Sequence, residues 1–226
     1  MTIQHCSPTE SKRRIVVVED YPIVREGLVQ LLNSSNEFEV QDAFACPGEA
    51  REGILRLKPE AVLMDLMLGG NDGVSLVSDL MIQIPDLKIL VFSGMSESVY
   101  AERVLRAGAV GYLMKTAKPT EILHALRTVL SGNLYLSPKL AVPLVRGLIK
   151  RTGPNQLPGA EGLSDRELQV FQLIGTGLPN REIASQLNIS VKTVETFREK
   201  IKIKLGLRDS TALVAAAVAF VASIIA

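Results

Sequence analysis

Short apolar runs alternate with longer amphipathic stretches from residue 14 to about residue 131. The runs have the length of buried strands, and the stretches between them carry apolar residues at helical spacing. Prolines and glycines mark where several of the helices begin and end. The pattern predicts strands at residues 15–18, 38–44, 61–64, 87–92 and 110–114, and helices at residues 21–32, 47–57, 74–82, 96–107 and 119–130.

Five strand–helix units in succession predict an α/β domain, in which a doubly wound five-stranded parallel sheet carries helices on both faces. The residues that do chemistry in such a sheet lie at the carboxyl ends of the strands, near the point where the strand order reverses. The residues that directly follow each predicted strand are therefore the candidates for a functional site.

The pattern changes after residue 135. Prolines and glycines punctuate the next stretch, whose middle, residues 140–150, has the spacing of a short helix and whose end, residues 152–162, is typical of a flexible linker. From residue 163 onward every signal is helical, with helices predicted at residues 164–175, 180–187, 190–205 and 209–225. We therefore predict a disordered tail at residues 1–13, one domain at 14–135, a linker at 136–162 and an all-α domain at 163–226.

The composition adds three constraints. The net charge is +1, so contact with nucleic acid would depend on a local basic patch. Cys6 and Cys46 lack metal-ligand spacing and are expected as reduced thiols. Residues 1–14 lack the apolar segment of a signal peptide, and the apolar run at residues 212–226 is shorter than the roughly 20 residues that a membrane span needs. We therefore expect a cytoplasmic protein with no membrane partner, whose C-terminal helix is partly covered by a partner surface.

Charged and hydroxyl side chains follow four of the five predicted strands. Glu19 and Asp20 follow the first strand, Asp65 the third, Ser93 the fourth and Lys115 the fifth. A parallel sheet gathers them at one edge, where three carboxylates repel one another unless a hard cation such as Mg²⁺ is bound. With the lysine and the hydroxyl beside them, they describe a carboxylate that accepts a phosphoryl group with the help of a metal ion.

Residues 14–131 resemble the receiver domain of two-component response regulators, which has a flavodoxin-like fold. The resemblance implies that a sensor histidine kinase phosphorylates Asp65, that Lys115 pairs with the phosphate, and that Mg²⁺ is held by Glu19, Asp20, Asp65 and the Met67 carbonyl. It also implies a switch pair of Ser93 and Tyr112, although Tyr112 fits a half-buried strand aromatic equally well. The matching segments are Val18-Glu19-Asp20, Met64-Asp65-Leu66, Phe92-Ser93-Gly94 and Gly111-Tyr112-Leu113-Met114-Lys115.

Two places depart from the receiver pattern. Gly69 stands where many receivers have proline, and Gly70 follows it, so this loop is expected to be flexible. Thr116 also replaces a proline that many receivers carry, and Lys118 is a competing candidate for the pairing lysine. We prefer Lys115 because it directly ends a strand.

Residues 163–211 resemble the helix-turn-helix domain of the LuxR/FixJ class, and with the receiver they resemble regulators of the NarL/FixJ type. The match lies in residues 177–184, in residues 189–196 and in Lys204-Leu205-Gly206. On the helix predicted at residues 190–205, one stripe is expected to be buried, with Phe197 at its edge. The stripe consists of Val194, Ile201 and Leu205.

Another face of that helix is predicted to enter the major groove of double-stranded DNA. It offers donors and acceptors for base edges, and the cations that flank it can reach phosphates. The candidate DNA-contacting residues are Lys192, Thr193, Glu195, Thr196, Arg198, Glu199, Lys200 and Lys202, with Lys204 as a further candidate for a phosphate contact.

We therefore predict a phosphorylation-controlled, DNA-binding transcriptional regulator that is not an enzyme. Phosphorylation of Asp65 would bias the helix at residues 96–107, which would release the helix-turn-helix, pair with a second copy as a homodimer, or both. One alternative is a DNA-binding regulator that needs no phosphorylation, and another is a helical domain that binds protein. A third is a phosphohydrolase, which Met67 argues against because a second acid is missing at that position.

Overall fold

The computed structural model describes residues 11–69, 71–138 and 162–225. Its first domain is built on a five-stranded parallel sheet with the strand order β2-β1-β3-β6-β7. β2 lies on one side of β1, and all later strands of this sheet lie on the other side. The strand order therefore reverses between β1 and β3. The strands are β1 (Arg13–Val18), β2 (Phe38–Phe44), β3 (Ala61–Met64), β4 (Met67–Leu68), β5 (Asn71–Asp72), β6 (Lys88–Ser93) and β7 (Gly111–Met114).

Five helices cover the two faces of this sheet, as the predicted α/β fold class requires. Alternate residues of the central strands point to opposite sides, so each face has its own apolar core. Leu32 and Leu126 lie in the core on one face, and Ile54 and Val104 lie in the core on the other. The helices are α1 (Pro22–Ser34), α2 (Pro47–Leu57), α3 (Gly73–Gln83), α4 (Glu97–Arg106) and α5 (Pro119–Leu130).

Two local features differ from the expectation. The antiparallel pair of β4 and β5 was not predicted, because two-residue strands carry no periodic signal. Arg13 is the first residue of β1 and pairs with Phe38 of β2, and its guanidinium lies 2.6 Å from the Glu60 carboxylate. The first strand therefore begins inside the segment predicted as a disordered tail, of which residues 1–10 lie outside the described residues.

The predicted linker begins on the surface of the first domain. Tyr135 forms a parallel bridge with Gly111 at the edge of β7, and the backbone N–H of Ser137 donates to the Glu97 carboxylate at 2.9 Å. Most of the predicted linker, including the short helix expected at residues 140–150, lies outside the described residues.

Over residues 162–225 the second domain contains helices and no strands. The helices are α6 (Asp165–Gly175), α7 (Asn180–Gln186), α8 (Val191–Leu205) and α9 (Ser210–Ile225). Ser164 caps α6 in the predicted capping box with Glu167, and Gly206 ends α8 at a φ of 64°. Phe171 of α6 and Phe220 of α9 pack with their ring centroids 5.5 Å apart in the core of this domain.

Within the described residues, no single helix is both long and apolar enough to cross a membrane. Only α8 and α9 taken together reach that length and composition, and the chain bends by 80° between them.

Candidate functional site

The three predicted acidic residues lie together at the carboxyl ends of β1 and β3. One carboxylate oxygen from each of Glu19, Asp20 and Asp65 can be chosen so that all lie within 4.8 Å of one another. Glu19 and Asp65 are buried, while Asp20 is only partly covered. The Asp65 N–H donates to the Val18 carbonyl at 2.9 Å, which continues the pairing of the two strands up to the site. The parallel sheet therefore creates the cluster that the strand-end positions predicted.

Lys115, which follows β7, is the cation of this cluster. Its ammonium group lies 2.8 Å from Asp65 Oδ2 and 2.7 Å from Glu19 Oε2. Burial lowers the pKa of Lys115, but the two carboxylates outweigh this effect and hold the pKa above its ordinary value. Lys118, the competing candidate, is exposed at the start of α5, where its N–H donates to Glu121 at 2.7 Å. The structure thus brings Lys115 into the pocket, not Lys118.

The acidic cluster has the oxygen ligands that a hard cation requires, in addition to its ion pairs with one lysine. Burial raises the pKa of Glu19, and the Asp65 carboxylate adds to this shift against the effect of Lys115. Asp20 Oδ1 is buried without a hydrogen-bond partner, so a carboxylate oxygen is available inside the pocket. Three carboxylates and a nearby backbone carbonyl form the oxygen-rich donor set that Mg²⁺ prefers. Met67, the predicted carbonyl ligand, lies in β4, two residues before the Gly69 N–H that donates to Asp20.

Two glycines shape the loop that carries Met67. Gly69 has a φ of +57°, which suits glycine, and its N–H donates to Asp20 Oδ2 at 3.0 Å. Gly73 packs against the backbone of Leu66, where an added Cβ would lie 2.6 Å from both the Cα and the carbonyl oxygen. A side chain at position 73 would therefore force the backbone of this loop to shift beside the acidic cluster.

The predicted switch pair meets at the end of β6. The Tyr112 side chain is fully buried, and its hydroxyl donates to the Met95 carbonyl at 2.8 Å. Burial raises the pKa of this hydroxyl well above its ordinary value, so it stays protonated as a donor. Ser93 Oγ accepts a bond of 3.4 Å from the Met95 N–H. Both side chains therefore form hydrogen bonds with the backbone of Met95. Tyr112 is fully buried, not half-buried as an ordinary strand aromatic would be.

Helix α8 presents the predicted DNA-reading face to solvent. Ser190 caps the helix by accepting from the Thr193 N–H at 3.0 Å, which fixes its first turn. The buried stripe is formed as predicted by Val194 and Ile201, with Leu205 and Phe197 packed against the core. The exposed candidates are Lys192, Glu195, Thr196, Glu199 and Lys200, while Thr193 and Arg198 are partly covered.

Two lysines of α8 form ion pairs within the domain. The Lys202 ammonium pairs with Glu199 at 2.9 Å, and its side chain is 17% exposed. Lys204 pairs at 2.6 Å with Glu167, whose carboxylate also accepts from the Ser164 N–H at 2.8 Å. The charge of Lys204 therefore compensates a buried carboxylate, and its contact with a DNA phosphate stays a prediction.

Contacts between the two domains were not predicted. The Arg103 guanidinium on α4 lies 2.9 Å from the Asp165 carboxylate and donates to the Leu163 carbonyl at 2.9 Å. The Tyr100 hydroxyl donates to the Asp165 carbonyl at 3.4 Å. The Gln169 amide of α6 lies against the sulfur atoms of two methionines of the first domain. The first turns of α6 are consequently buried on both sides.

The sequence held only a weak signal for this interface. The residues of α6 from Asp165 to Phe171 are buried without a break, although several of them are charged or polar. Taken alone, this mixture of charged, polar and apolar residues predicts a helix with one face in solvent. Only the position of the other domain explains why polar side chains here are covered.

Comparison with known proteins decides the family. A family model described as "Response regulator receiver domain" matches residues 15–127, and one described as "Bacterial regulatory proteins, luxR family" matches residues 161–217. The chain is 36% identical over 205 residues to the Oxygen regulatory protein NreC of Staphylococcus carnosus (strain TM300), which covers 89% of this chain and 94% of that protein. The chain belongs to the two-component response regulators.

Other relatives match this response regulator over most or all of its length. NreC of Staphylococcus aureus (strain JH9) is 37% identical, with the same coverage of 89% and 94%. A solved response regulator of the LuxR family from Aurantimonas sp. SI85-9A1 gives a TM-score of 0.57 at 32% identity and covers 62% of this chain and 99% of that one. RcsB of Salmonella typhimurium gives a TM-score of 0.59 at 23% identity, covers 92% and 98% of the two chains, and shows the same fold. The predicted receiver and helix-turn-helix folds are confirmed.

Proposed function

We propose that this response regulator is a cytoplasmic transcription factor controlled by phosphorylation of Asp65. The observation that carries the proposal is the ion pair between Lys115 and Asp65 in a pocket that also holds Glu19 and Asp20. The same chain presents an exposed face of α8 that suits the major groove. Because the phosphoryl group ends on the protein itself, the chain acts as a regulator and not as an enzyme.

The pocket residues divide the chemistry of phosphoryl transfer among them. Glu19, Asp20 and Asp65 would hold Mg²⁺ through their carboxylates, with the Met67 carbonyl as a further ligand. The bound ion supplies charge neutralisation and orients the phosphoryl oxygens. The Asp65 carboxylate attacks the phosphorus atom of a phosphohistidine on a sensor kinase, and the bond from phosphorus to the histidine nitrogen breaks. Lys115 then pairs with the transferred group.

Phosphorylation of Asp65 would change the conformation of the loop after β6, which contains Met95. Phosphorylation adds about −1.5 to −2 charges at Asp65. The Ser93 hydroxyl turns to donate to a phosphoryl oxygen, and this rotation breaks the 3.4 Å bond that Ser93 Oγ accepts from the Met95 N–H. Since the Tyr112 hydroxyl is bound to the carbonyl of the same Met95, the loop and the tyrosine move together. Met95 also contacts Gln169 of α6, so this movement weakens the contact between the domains.

Release of α6 changes how two copies can pair on DNA. The docked arrangement leaves the α8 face exposed, so inhibition does not depend on covering it. The docked arrangement instead holds the helix-turn-helix against its receiver. Two copies are then less free to place their α8 helices in two half-sites at the required spacing. Val214 and Val218 on α9 are 40% and 49% exposed, and they supply apolar surface for a homodimer once the domain is free.

Mass spectrometry tests the acceptor directly. The full chain is incubated with acetyl phosphate and Mg²⁺, and the intact mass is measured for the wild type and for Asp65→Asn. The proposal predicts one added phosphoryl group on the wild type and none on the variant. Equal labelling of both proteins would show that the acceptor lies elsewhere, and an unlabelled wild type would favour a regulator that needs no phosphorylation.

A further inference from the structure

Gln169 on α6 connects the DNA-binding domain to the edge of the phosphorylation pocket. Its side-chain nitrogen donates to the Met67 sulfur and lies 3.7 Å from the Met95 sulfur. Gln169 is only 3% exposed. Met67 lies in β4, two residues after Asp65, so the contact touches the loop that carries a predicted metal ligand.

The amide of Gln169 is held at its other end as well. Arg166 donates to Gln169 Oε1 at 2.8 Å, and the same guanidinium lies 4.0 Å from the Met67 sulfur. Arg166 is 8% exposed. A buried amide that is engaged at both ends has one orientation, because turning it over would place its oxygen against the sulfur atoms and its nitrogen against a cation.

The Met67 loop needs such support. Its ribbon is only two residues long on each side, and it turns through Gly69 with Gly70 next in the sequence. Gly69 is also tied to Asp20 at 3.0 Å, but that carboxylate is itself a predicted metal ligand and is shared once the ion binds. The contact with Gln169 does not compete with the metal, because it involves the side chain of Met67 and leaves its carbonyl free.

We propose that Gln169 is a positioning residue for the metal site of the receiver, acting through Met67 from the other domain. The proposal rests on the proposed function, in which the Met67 carbonyl binds Mg²⁺. By fixing the loop before the ion arrives, the docked α6 raises the affinity of the receiver for Mg²⁺. Because coupling between two binding events is reciprocal, Mg²⁺ in turn stabilises the docked arrangement before phosphorylation.

Calorimetric titration of Mg²⁺ into the unphosphorylated full chain tests this coupling without measuring any activity. Three proteins are compared: the wild type, Gln169→Ala and the control Gln172→Ala, which changes the same residue type one helical turn later on α6. Loss of a residue that orients a metal ligand typically weakens metal affinity roughly 10–100-fold. We expect about a tenfold increase in the dissociation constant for Gln169→Ala and no change for Gln172→Ala. Equal affinities of the wild type and Gln169→Ala would overturn the proposal.

A second variant examines the contact from the receiver side. Met67→Leu keeps the backbone carbonyl and nearly the same volume but removes the sulfur acceptor. If Gln169 acts through Met67, the double variant binds Mg²⁺ no more weakly than the weaker single variant, whereas independent effects would add. Additive losses would overturn the proposal. A wild type that binds no Mg²⁺ would contradict the proposed function itself, whereas an unchanged affinity in Gln169→Ala contradicts only the role of Gln169.

Discussion

Arg103 of the receiver and Asp165 of the DNA-binding domain form an ion pair at 2.9 Å, with side chains that are 25% and 10% exposed. A hydrogen bond to a charged group contributes about 1.5–3 kcal/mol. Shifting a two-state equilibrium from 1:99 to 99:1 takes about 5.5 kcal/mol. Losing this ion pair alone would therefore not complete such a shift, so the proposed release of α6 also requires changes in the contacts at Met67 and Met95.

Arg103→Ala should loosen the domain contact without any phosphorylation. Asp165 then keeps a covered charge without its guanidinium, so the docked state loses about 1–3 kcal/mol. Hydrogen–deuterium exchange should become faster for the amides of α6 and α4. Arg106→Ala is the matched control, because Arg106 on the same helix pairs with Glu102 in solvent. Exchange that is equally slow in Arg103→Ala and the wild type would show that the pair does not hold the domains together.

Much of the acidic pocket could be predicted because strand ends converge in a parallel sheet. The strand that ends at Lys115 favours this lysine as the neighbour of Asp65, and the structure places the competing Lys118 in solvent at the start of α5. The domain contact could not be predicted, because Arg103 and Asp165 are 62 residues apart and no periodicity relates them. The ion pair of Lys204 could not be predicted for the same reason, since its partner Glu167 lies on another helix.

The pair of Glu167 and Lys204 predicts how the stability of the DNA-binding domain depends on pH. Burial raises the pKa of Glu167, but hydrogen bonds from Lys204 and Ser164 outweigh this and hold it below its ordinary value of 4.5. A carboxyl whose pKa is lowered on folding adds stability above its unfolded pKa, and that stability is lost as the pH falls through the folded pKa.

Urea denaturation of the wild type and Glu167→Gln at two pH values measures this contribution. Glutamine keeps an acceptor for Ser164 but removes the charge, so we expect a loss of about 1–2 kcal/mol at pH 7. The difference between the two proteins should shrink as the pH falls below 4.5. A difference that is the same at neutral and acidic pH would mean that the charge of Glu167 is not what stabilises the domain.

Gly73→Ala should damage the receiver although it adds a single methyl group. Its Cβ would lie 2.6 Å from backbone atoms of Leu66, which cannot move aside as a side chain can. We expect a loss of about 1–3 kcal/mol in the free energy of unfolding, together with weaker Mg²⁺ binding. Gly27→Ala is the control: nothing lies within 4 Å of its added Cβ in α1, and helix propensity should make it neutral or stabilising. Equal stability of the two variants would contradict the close packing at Gly73.

Lys200→Ala should weaken DNA binding without changing which sequence is preferred. Lys200 is exposed on α8 and is proposed to contact a phosphate, so its loss should reduce the slope of log affinity against log salt concentration by about 1. Fluorescence anisotropy with specific and unrelated duplexes measures both quantities. Lys118→Ala, an exposed lysine of the receiver, should leave the slope unchanged. An unchanged slope in Lys200→Ala would remove this lysine from the interface.

Selection of DNA from random fragments, followed by affinity measurements on the selected sites, tests the central claim most directly. The wild type and Asp65→Asn are each compared before and after treatment with acetyl phosphate and Mg²⁺. The account predicts that treatment tightens binding of the wild type to paired half-sites and has no effect on Asp65→Asn. If both proteins select the same sites with the same affinity before and after treatment, phosphorylation of Asp65 does not control DNA binding.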